Sequence, residues 1–303
     1  MKKILFCLLA VILSGCQNSK LYDDKRVMMG TLIEVISPDK NAAAIVFSEF
    51  SRLDNLLSKY KPGSEISRLN KSGDLKVSPE TFYLLKKSME FYQASDGAFD
   101  ITVGPLIDLW GFSDRKYSYP PEEKIKEGLK LVGSDKILLN DKDNVVKFML
   151  SGMKVDLGGI AKGYALDCAV KKLKDNNINS CLINAGGQIS CLGDKFGRPW
   201  NIAINNPRGK KAIGYLELKD KSVATSGDNQ RYFIKDKKRY SHILDPKTGY
   251  PADTGIASVT VIAKDGLTAD ALATAMFVLG REKGWDLADK FTGVEFKIAA
   301  AKQ

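Results

Sequence analysis

Residues 153–192 carry the clearest fold signals of the chain: MKVDLGGIAKGYALDCAVKKLKDNNINSCLINAGGQISCL. This stretch predicts a strand over residues 153–157, a double-glycine turn, and a helix over residues 161–174. Two further strands, residues 180–184 and 188–192, flank a second double-glycine turn and form a hairpin. Because such hairpins outnumber strand–helix–strand units along the chain, the sequence predicts an α+β fold with mixed, largely antiparallel sheets and packed helices.

The rest of the chain mixes strands and helices in the same way. Its 303 residues are 44% apolar and 27% charged, a globular composition that excludes disordered, collagenous and repeat-built classes. One domain with an inserted lobe and two separate domains are equally good interpretations. Further strands are predicted over residues 27–36, 137–139, 145–150, 200–205, 215–218, 231–235, 257–263 and 294–298. Further helices are predicted over residues 41–60, 78–95, 120–132, 269–279 and 283–290, with a loop or short helix at 104–112.

Histidine and cysteine usage narrows the chemistry. The chain has one histidine and no Cys-x-x-Cys pair, which excludes zinc and iron–sulfur sites built from these residues. Cys181 and Cys191 flank the second double-glycine turn and either pair as a disulfide or lie buried as small apolar residues. A core of this size needs no disulfide, which favours the buried interpretation.

The N-terminus predicts export. Lys2 and Lys3 precede ten apolar residues, a run too short to span a bilayer and typical of a signal peptide. The run ends in Leu-Ser-Gly-Cys16, which resembles the bacterial lipobox, whose cysteine is acylated. An ordinary signal peptide with an incidental cysteine is the alternative. We therefore expect a lipoprotein signal peptide over residues 1–15, a lipid anchor on Cys16, a tether over 16–24, a folded part over 25–303, and a location on the periplasmic side of the inner membrane.

The charge balance points to an anionic ligand or surface. The chain has 46 basic and 36 acidic residues, and two of the basic ones are Lys2 and Lys3 of the signal peptide. The mature chain therefore keeps a surplus of eight positive charges, which suits an anionic ligand or lipid and is also an ordinary solubility charge. We expect no nucleic-acid partner, because the basic residues are spread along the chain.

The segment DLGGIAKGY, residues 156–164, places a glycine-rich turn at the start of a helix. Free backbone N–H groups at such a helix start bind anions, most often phosphate. The spacing matches neither the Walker nor the dinucleotide-binding fingerprint. A tight strand-to-helix turn without a ligand is the alternative.

The segment HILDPKTG, residues 242–249, holds the only histidine of the chain. Imidazole is the side chain best suited to move a proton near neutral pH, so His242 is the candidate acid or base. The alternative is a histidine that only bonds the backbone of a turn, since Asp-Pro-x-Thr-Gly is good turn chemistry.

Asp270 and Thr274 are four residues apart on a predicted helix, and this spacing puts a carboxylate and a hydroxyl on one face. Hard oxygen ligands at one spot suit Mg²⁺. The alternative is an aspartate that complements the helix dipole.

Seven segments, in this order along the chain, resemble the motifs of the ApbE family, the FAD:protein FMN transferases. The resemblance covers nearly the whole mature chain, and the lipobox agrees with it. The segments are Met29-Gly30-Thr31, Ala98-Phe99-Asp100, residues 156–164 (DLGGIAKGY), 184–187 (NAGG), 224–227 (ATSG), 242–249 (HILDPKTG) and 269–274 (ADALAT).

The resemblance implies a fold related to T-fold units and a Mg²⁺-dependent enzyme that takes FAD as substrate. The enzyme cleaves the pyrophosphate, attaches FMN through a phosphoester to a Thr or Ser of an acceptor protein, and releases AMP. The implied acceptors are exported domains of Rnf-type and sodium-pumping quinone reductase complexes. An FAD pyrophosphatase that uses water, and a lipid-anchored flavin-binding protein, are the alternatives.

The resemblance also implies roles for individual residues. The metal ligands are Asp270, Thr274 and the backbone carbonyl of Gly159; Ala273 stands where family members often carry a further hydroxyl or carboxylate. His242 accepts the proton of the acceptor hydroxyl. The implied FAD site contains Met29, Tyr60, Ala98, Phe99, Asp100, Asp156, Lys162 and Leu244, with Lys162 at a position where some members carry Glu.

Overall fold

A computed structural model describes residues 20–301. The predicted signal peptide and Cys16 lie outside the described residues, so the export and lipid-anchor expectations stay predictions. Among residues 20–301, no helix is both long and apolar enough to cross a lipid bilayer. The first strand begins at Tyr22, inside the segment predicted as a tether, because Tyr22 pairs with Ser37 at the end of the second strand.

Strands and helices are interspersed along the described chain, and the paired strands within it are antiparallel, which confirms the predicted α+β class. The strands are β1 (Tyr22–Met28), β2 (Thr31–Ser37), β3 (Asp74–Lys76), β4 (Ile137–Asn140), β5 (Val145–Phe148), β6 (Cys181–Ala185), β7 (Gln188–Leu192), β8 (Trp200–Ile204), β9 (Gly214–Leu218), β10 (Lys221–Gly227), β11 (Tyr232–Lys235), β12 (Lys238–Ser241), β13 (Ile256–Ala263) and β14 (Glu295–Ala300). The α-helices are α1 (Ala42–Leu57), α2 (Glu65–Ser72), α3 (Pro79–Ala94), α4 (Gly104–Leu109), α5 (Glu122–Leu129), α6 (Ala161–Asp175), α7 (Gly266–Leu279) and α8 (Arg281–Ala288).

A sheet ordered β1-β2-β6-β7-β10-β13-β14 forms the centre of the fold. Helices α1, α6 and α7 cover one face, where Ile183 and Val261 belong to the main hydrophobic core. The β8–β9 hairpin covers part of the other face and packs Trp200 against Val223 and Ile262. Because β13 is covered on both faces, all eight of its residues are buried. Removal of this apolar surface from water is the main force that holds the layers together.

A smaller core surrounds Trp110, between α4, α5 and the β11–β12 hairpin. The Trp110 ring is fully buried and stacks against Tyr240, with ring centres 5.8 Å apart. Its indole N–H donates to the carbonyl oxygen of Gly249 at 2.9 Å. The HILDPKTG segment, which ends at Gly249, is therefore anchored to this small core.

Residues 27–36 form a hairpin and not the single strand predicted from the sequence. Met29 (φ +48°) and Gly30 (φ +72°) both adopt the left-handed conformation and make a two-residue turn between β1 and β2. This turn type usually carries Asn-Gly or Asp-Gly. The prediction was wrong because Met-Gly does not give that signal.

Residues 153–157 do not form the predicted strand, because an asparagine side chain takes the hydrogen bonds that a neighbouring strand would make. The N–H of Val155 donates to Oδ1 of Asn70 at 2.7 Å, and Nδ2 of Asn70 donates to the carbonyl oxygen of Val155 at 2.9 Å. The N–H of Asp156 donates to the carbonyl oxygen of Ile101 at 2.7 Å. Asn70 belongs to α2, a helix that the sequence analysis did not predict.

Cys181 and Cys191 are free thiols. In the β6–β7 register, Cys181 pairs with Leu192 and Cys191 with Leu182, so the two cysteines are not cross-strand partners. Cys181 belongs to the core under the helices, and Cys191 to the core under the β8–β9 hairpin. The interpretation as small buried apolar residues is confirmed.

Candidate active site

Turns from two distant parts of the chain meet where strands of the central sheet end, and Arg231 lies next to them. Pairing of β2 with β6 holds the β1–β2 turn beside the double-glycine turn between β6 and β7. A β-carbon on Gly186 would overlap Oγ1 of Thr31, and one on Gly30 would lie 3.3 Å from Nη2 of Arg231. The segments MGT and NAGG, which carry the family resemblance, therefore lie in direct contact.

Asp270 lies beside these turns, on the second turn of α7. It is only 1% exposed. Its Oδ2 accepts a hydrogen bond from the backbone N–H of Gly163 at 3.0 Å, and its Oδ1 accepts one from Nε2 of Gln188 at 3.3 Å. The nearest cation is Nζ of Lys162, 3.9 Å from Oδ2. A buried carboxylate is thus held in place mainly by neutral donors, and its charge is only weakly compensated.

Thr274 lies one helical turn further along α7, and Gly159, in the turn before α6, packs against it. Oγ1 of Thr274 is 3.2 Å from Oγ of Ser226 in β10. A β-carbon on Gly159 would lie 3.1 Å from the same Oγ1 and 3.3 Å from the ring of Phe99. The three predicted metal-binding residues are therefore neighbours, and Ser226 adds a hydroxyl that the sequence analysis did not single out.

One unpaired atom lies beside Asp270. Among residues 20–301, Gln188 Oε1 and Ser241 Oγ are the buried side-chain atoms without a hydrogen-bond partner. Gln188 bonds Asp270, whereas Ser241 is the last residue of β12 and precedes His242. Because buried polar groups are nearly always paired, Oε1 of Gln188 is available to a bound water or ligand. With a carboxylate, hydroxyls and an amide oxygen close together, these residues fit a small, hard divalent cation.

The double-glycine turn before α6 is held by two residues of the predicted FAD site. Oδ1 of Asp156 accepts a hydrogen bond from the N–H of Gly158 at 2.8 Å. Nζ of Lys162 donates to the carbonyl oxygen of Gly158 at 2.8 Å. Ile160, an apolar residue, stands at the N-cap of α6. Of the first N–H groups of α6, that of Ala161 already donates to the carbonyl oxygen of Leu157 at 2.8 Å and that of Gly163 to Oδ2 of Asp270 at 3.0 Å, so the N–H of Lys162 is the one that faces an anion at this helix start.

Lys59 is a site residue that the sequence analysis missed. Its Nζ lies 2.8 Å from Oδ2 of Asp156 and donates to Oγ of Ser113 at 2.8 Å. Burial lowers the pKa of Lys59, but the charge and hydrogen bond of Asp156 outweigh burial and raise it above the usual range. A charged lysine therefore contacts Asp156, the residue that holds the Gly158-Gly159 turn. Its only sequence signal is its position next to Tyr60, over whose ring it lies at 5.1 Å.

His242 carries a defined tautomer. Its Nδ1 lies 3.2 Å from the carbonyl oxygen of Arg231. A carbonyl oxygen only accepts hydrogen bonds, so Nδ1 carries the proton and Nε2 carries the lone pair. Burial, and then the positive charges of Arg231 and Lys162, lower the pKa of His242 to about 4, although Asp156 opposes this. The imidazole is therefore neutral at pH 7 and able to accept a proton at Nε2.

The other residues predicted for the FAD site occupy three different environments. Ala98 and Phe99 are buried in the main core, and Leu244 is buried in the Trp110 core. Met29 is half-buried in its turn, and Tyr60 is 57% exposed. These positions bring Phe99 against Gly159, but they leave the side chain of Leu244 facing the interior. Their contacts with FAD stay predictions.

Both carboxylate oxygens of Asp100 already accept hydrogen bonds within the protein. Oδ1 accepts hydrogen bonds from the N–H and the hydroxyl of Thr102 and from the hydroxyl of Ser134, at 2.6–2.8 Å, and Oδ2 accepts one from the N–H of Ser134 at 3.2 Å. Burial raises the pKa of Asp100 above its usual range, against the opposing effect of these bonds. Asp100 therefore organises the loop that places Phe99 near Gly159.

A second group of ionisable side chains lies between α1, α3 and α6. Glu49, Glu80 and Cys168 come close together there. The guanidinium of Arg52 binds both carboxylates, with bonds of 2.6–3.0 Å. The hydroxyl of Tyr164 also donates to Glu80 at 2.9 Å. This cluster is an ion-pair network that ties three helices together.

Comparison with known proteins agrees with this geometry. The family model that matches the chain is described as the ApbE family and covers residues 29–298. The FAD:protein FMN transferase of Haemophilus influenzae is 34% identical, over 96% of this chain and 91% of that protein. The crystal structure of the ApbE protein of Thermotoga maritima gives a TM-score of 0.87 at 38% identity, over 93% and 94% of the two chains. The flavinyl transferase ApbE of Pseudomonas stutzeri gives a TM-score of 0.82 at 32% identity, over 94% and 92%.

Proposed function

The chain belongs to the ApbE family, and from this premise we infer that the protein is an enzyme, an FAD:protein FMN transferase. One observation supports the inference most directly. A neutral imidazole with its lone pair on Nε2 lies close enough to Lys162 and Asp156 to be affected by both charges, and Lys162 in turn lies 3.9 Å from the buried carboxylate of Asp270. This combination suits phosphoryl transfer to a hydroxyl group.

The reaction uses the chain's own residues in distinct ways. The first turn of α6 and the charges of Lys59 and Lys162 favour the negatively charged pyrophosphate of FAD. Nε2 of His242 takes the proton of the acceptor Thr or Ser hydroxyl. The hydroxyl oxygen then forms a bond to the phosphorus of the FMN half, and the bond from that phosphorus to the bridging oxygen breaks. FMN stays on the acceptor as a phosphoester, and AMP leaves with the bridging oxygen.

A divalent cation, Mg²⁺, completes the proposed site. Asp270, Thr274 and the carbonyl oxygen of Gly159 would hold it, and bound Mg²⁺ would neutralise negative charge on the phosphate oxygens. The unpaired Oε1 of Gln188 beside Asp270 supports a cation at this place. Ala273 is fully buried and supplies no ligand, so carbonyl, water or phosphate oxygens complete the coordination.

The proposed acceptors are exported flavin-bearing domains of Rnf-type and sodium-pumping quinone reductase complexes. The proposed location, on the periplasmic side of the inner membrane and anchored through Cys16, would bring enzyme and acceptor to the same compartment. The signal-like N-terminus and its Leu-Ser-Gly-Cys ending support this location.

One incubation tests the proposed function. The purified protein, FAD, Mg²⁺ and an acceptor domain with a target threonine are mixed, and flavin fluorescence on a denaturing gel is read beside AMP release. We expect both signals with the acceptor, and loss of both in excess EDTA. AMP release that is unchanged when the target threonine is replaced by alanine would identify a pyrophosphatase instead.

A further inference from the structure

Gln188 links Asp270 to the central sheet. It is the first residue of β7, directly after the double-glycine turn, and is only 4% exposed. Its Nε2 donates to Oδ1 of Asp270 at 3.3 Å, while Oδ2 accepts from the N–H of Gly163 at 3.0 Å. The carboxylate is therefore held from two sides, by β7 and by α6.

The chemistry of the two groups fixes which end of the amide faces Asp270. If the amide were turned over, Oε1 would meet Oδ1, and two oxygens without a proton between them repel each other. The N–H end therefore faces the carboxylate, and Oε1 points elsewhere. This oxygen is buried and has no hydrogen-bond partner among residues 20–301. It is an acceptor for a donor that binds beside Asp270.

A hydrated Mg²⁺ is a donor of this kind. Mg²⁺ keeps several of its waters when a protein binds it, and the protons of those waters point away from the cation. When a hydrogen bond orients a metal-binding residue, loss of that bond weakens metal affinity by about 10- to 100-fold.

We propose that Gln188 is a positioning residue of the cation site. Its amide N–H holds Oδ1 of Asp270, and its carbonyl oxygen accepts a hydrogen bond from a water on the cation. The inference rests on the proposed function, since it needs a divalent cation at Asp270. It adds a residue one position beyond the NAGG segment.

Mn²⁺ binding to the purified full-length protein, followed by electron paramagnetic resonance, is the direct test. Gln188→Leu removes both hydrogen-bonding atoms at similar size, and we expect its Mn²⁺ dissociation constant to rise at least about tenfold. Ser190→Ala is the matched control. Ser190 is buried two residues along the same strand, and its hydroxyl bonds that of Ser222 at 2.7 Å. Because this hydroxyl bonds Ser222 and not Asp270, we expect Mn²⁺ affinity to stay within about twofold of the parent.

Gln188→Glu separates positioning from a merely structural role. This variant keeps an acceptor oxygen but puts a second carboxylate beside Asp270. Without metal it should melt below the parent, and saturating Mn²⁺ should raise its melting temperature by more than it raises that of the parent. A purely structural role predicts a lower melting temperature that Mn²⁺ does not recover.

The possible results of these measurements distinguish failure of this proposal from failure of the proposed function. Mn²⁺ affinity of Gln188→Leu equal to that of the parent, or an equal loss in Ser190→Ala, overturns the proposal. If Gln188→Leu does not fold, Gln188→Glu decides, and the absence of an extra Mn²⁺ response overturns it. A parent protein that transfers flavin in excess EDTA refutes the metal part of the proposed function. A metal-dependent parent with metal-insensitive Gln188 variants refutes this inference alone.

Discussion

Replacing His242 by asparagine removes the proposed base while its local hydrogen bond is kept. The asparagine amide can donate to the carbonyl oxygen of Arg231, as Nδ1 does at 3.2 Å, but it has no atom that takes a proton near neutral pH. We expect flavin transfer to fall by about two to four orders of magnitude. FAD affinity should change little, because the proposed role gives Nε2 the acceptor hydroxyl and not the flavin. His242→Ala should lose the same activity.

The structure also sets the pH at which the parent loses activity. Because the pKa of His242 is lowered to about 4, about 97% of the imidazole is neutral at pH 5.5, against about 9% for an unperturbed pKa of 6.5. We therefore expect the transfer rate to hold down to about pH 5 and to fall through pH 4. Between pH 6.5 and 4 the unfolded chain binds more protons at this group than the folded chain, so stability also declines as the pH falls through that window.

The assay combines AMP release by chromatography with flavin fluorescence of the acceptor, at pH values on both sides of 4 and up to about pH 8. Circular dichroism at each pH confirms that the protein is folded. A tenfold lower rate at pH 5.5 than at pH 7.5 in the folded parent would show that the imidazole titrates near its ordinary pKa, and the burial argument would be wrong. Transfer by His242→Asn at the parent rate would reject the base assignment itself.

Three further changes test other parts of the site. Asp270→Ala should abolish flavin transfer and Mn²⁺ binding, while FAD binding persists in weaker form. Thr274→Ala should lose less transfer activity, because it removes a neutral ligand. Equal losses of activity in the two variants would contradict this ranking. Lys59→Met leaves the carboxylate of Asp156 without its cation, and we expect the free energy of unfolding, measured in urea, to fall by about 3 kcal/mol. An unchanged free energy of unfolding would show that this ion pair does not stabilise the fold. Cys16→Ser should release the protein from membranes or leave an unprocessed precursor, and mass spectrometry that finds an unmodified, internal Cys16 in the native host would reject the lipid anchor.

The helices and strands with a regular apolar pattern could be predicted from the sequence, because local residue signals mark where they begin and end. Ser78 caps α3 by accepting a bond from the N–H of Thr81, and Pro79 opens the helix, as the Ser-Pro-Glu pattern predicts. The β6–β7 hairpin follows from alternating strands around two glycines. The Met29 turn could not be predicted, because a left-handed methionine is set by tertiary packing and not by local preference.

The grouping of the site could be predicted only through the resemblance. Spacing alone places Asp270 and Thr274 on one helical face, but nothing local indicates that Gly159 lies beside them. Gln188 gave no signal and Lys59 only its position next to Tyr60, since a lysine or glutamine is ordinary on any surface and only burial makes these two unusual. The pKa of His242 likewise depends on neighbours from other segments, so the sequence supports only the unperturbed value.

The order of strands in the central sheet affects when the site forms during folding. The first and last strands of the described chain, β1 and β14, form the two edges of the sheet, and β2 pairs with β6 about 150 residues later. Such distant pairings make the fold slow to assemble. The segments around Met29, Asp156, His242 and Asp270 become neighbours only when the sheet closes. A nascent or truncated chain therefore lacks the complete site, and FAD cleavage has to wait until the central sheet has closed.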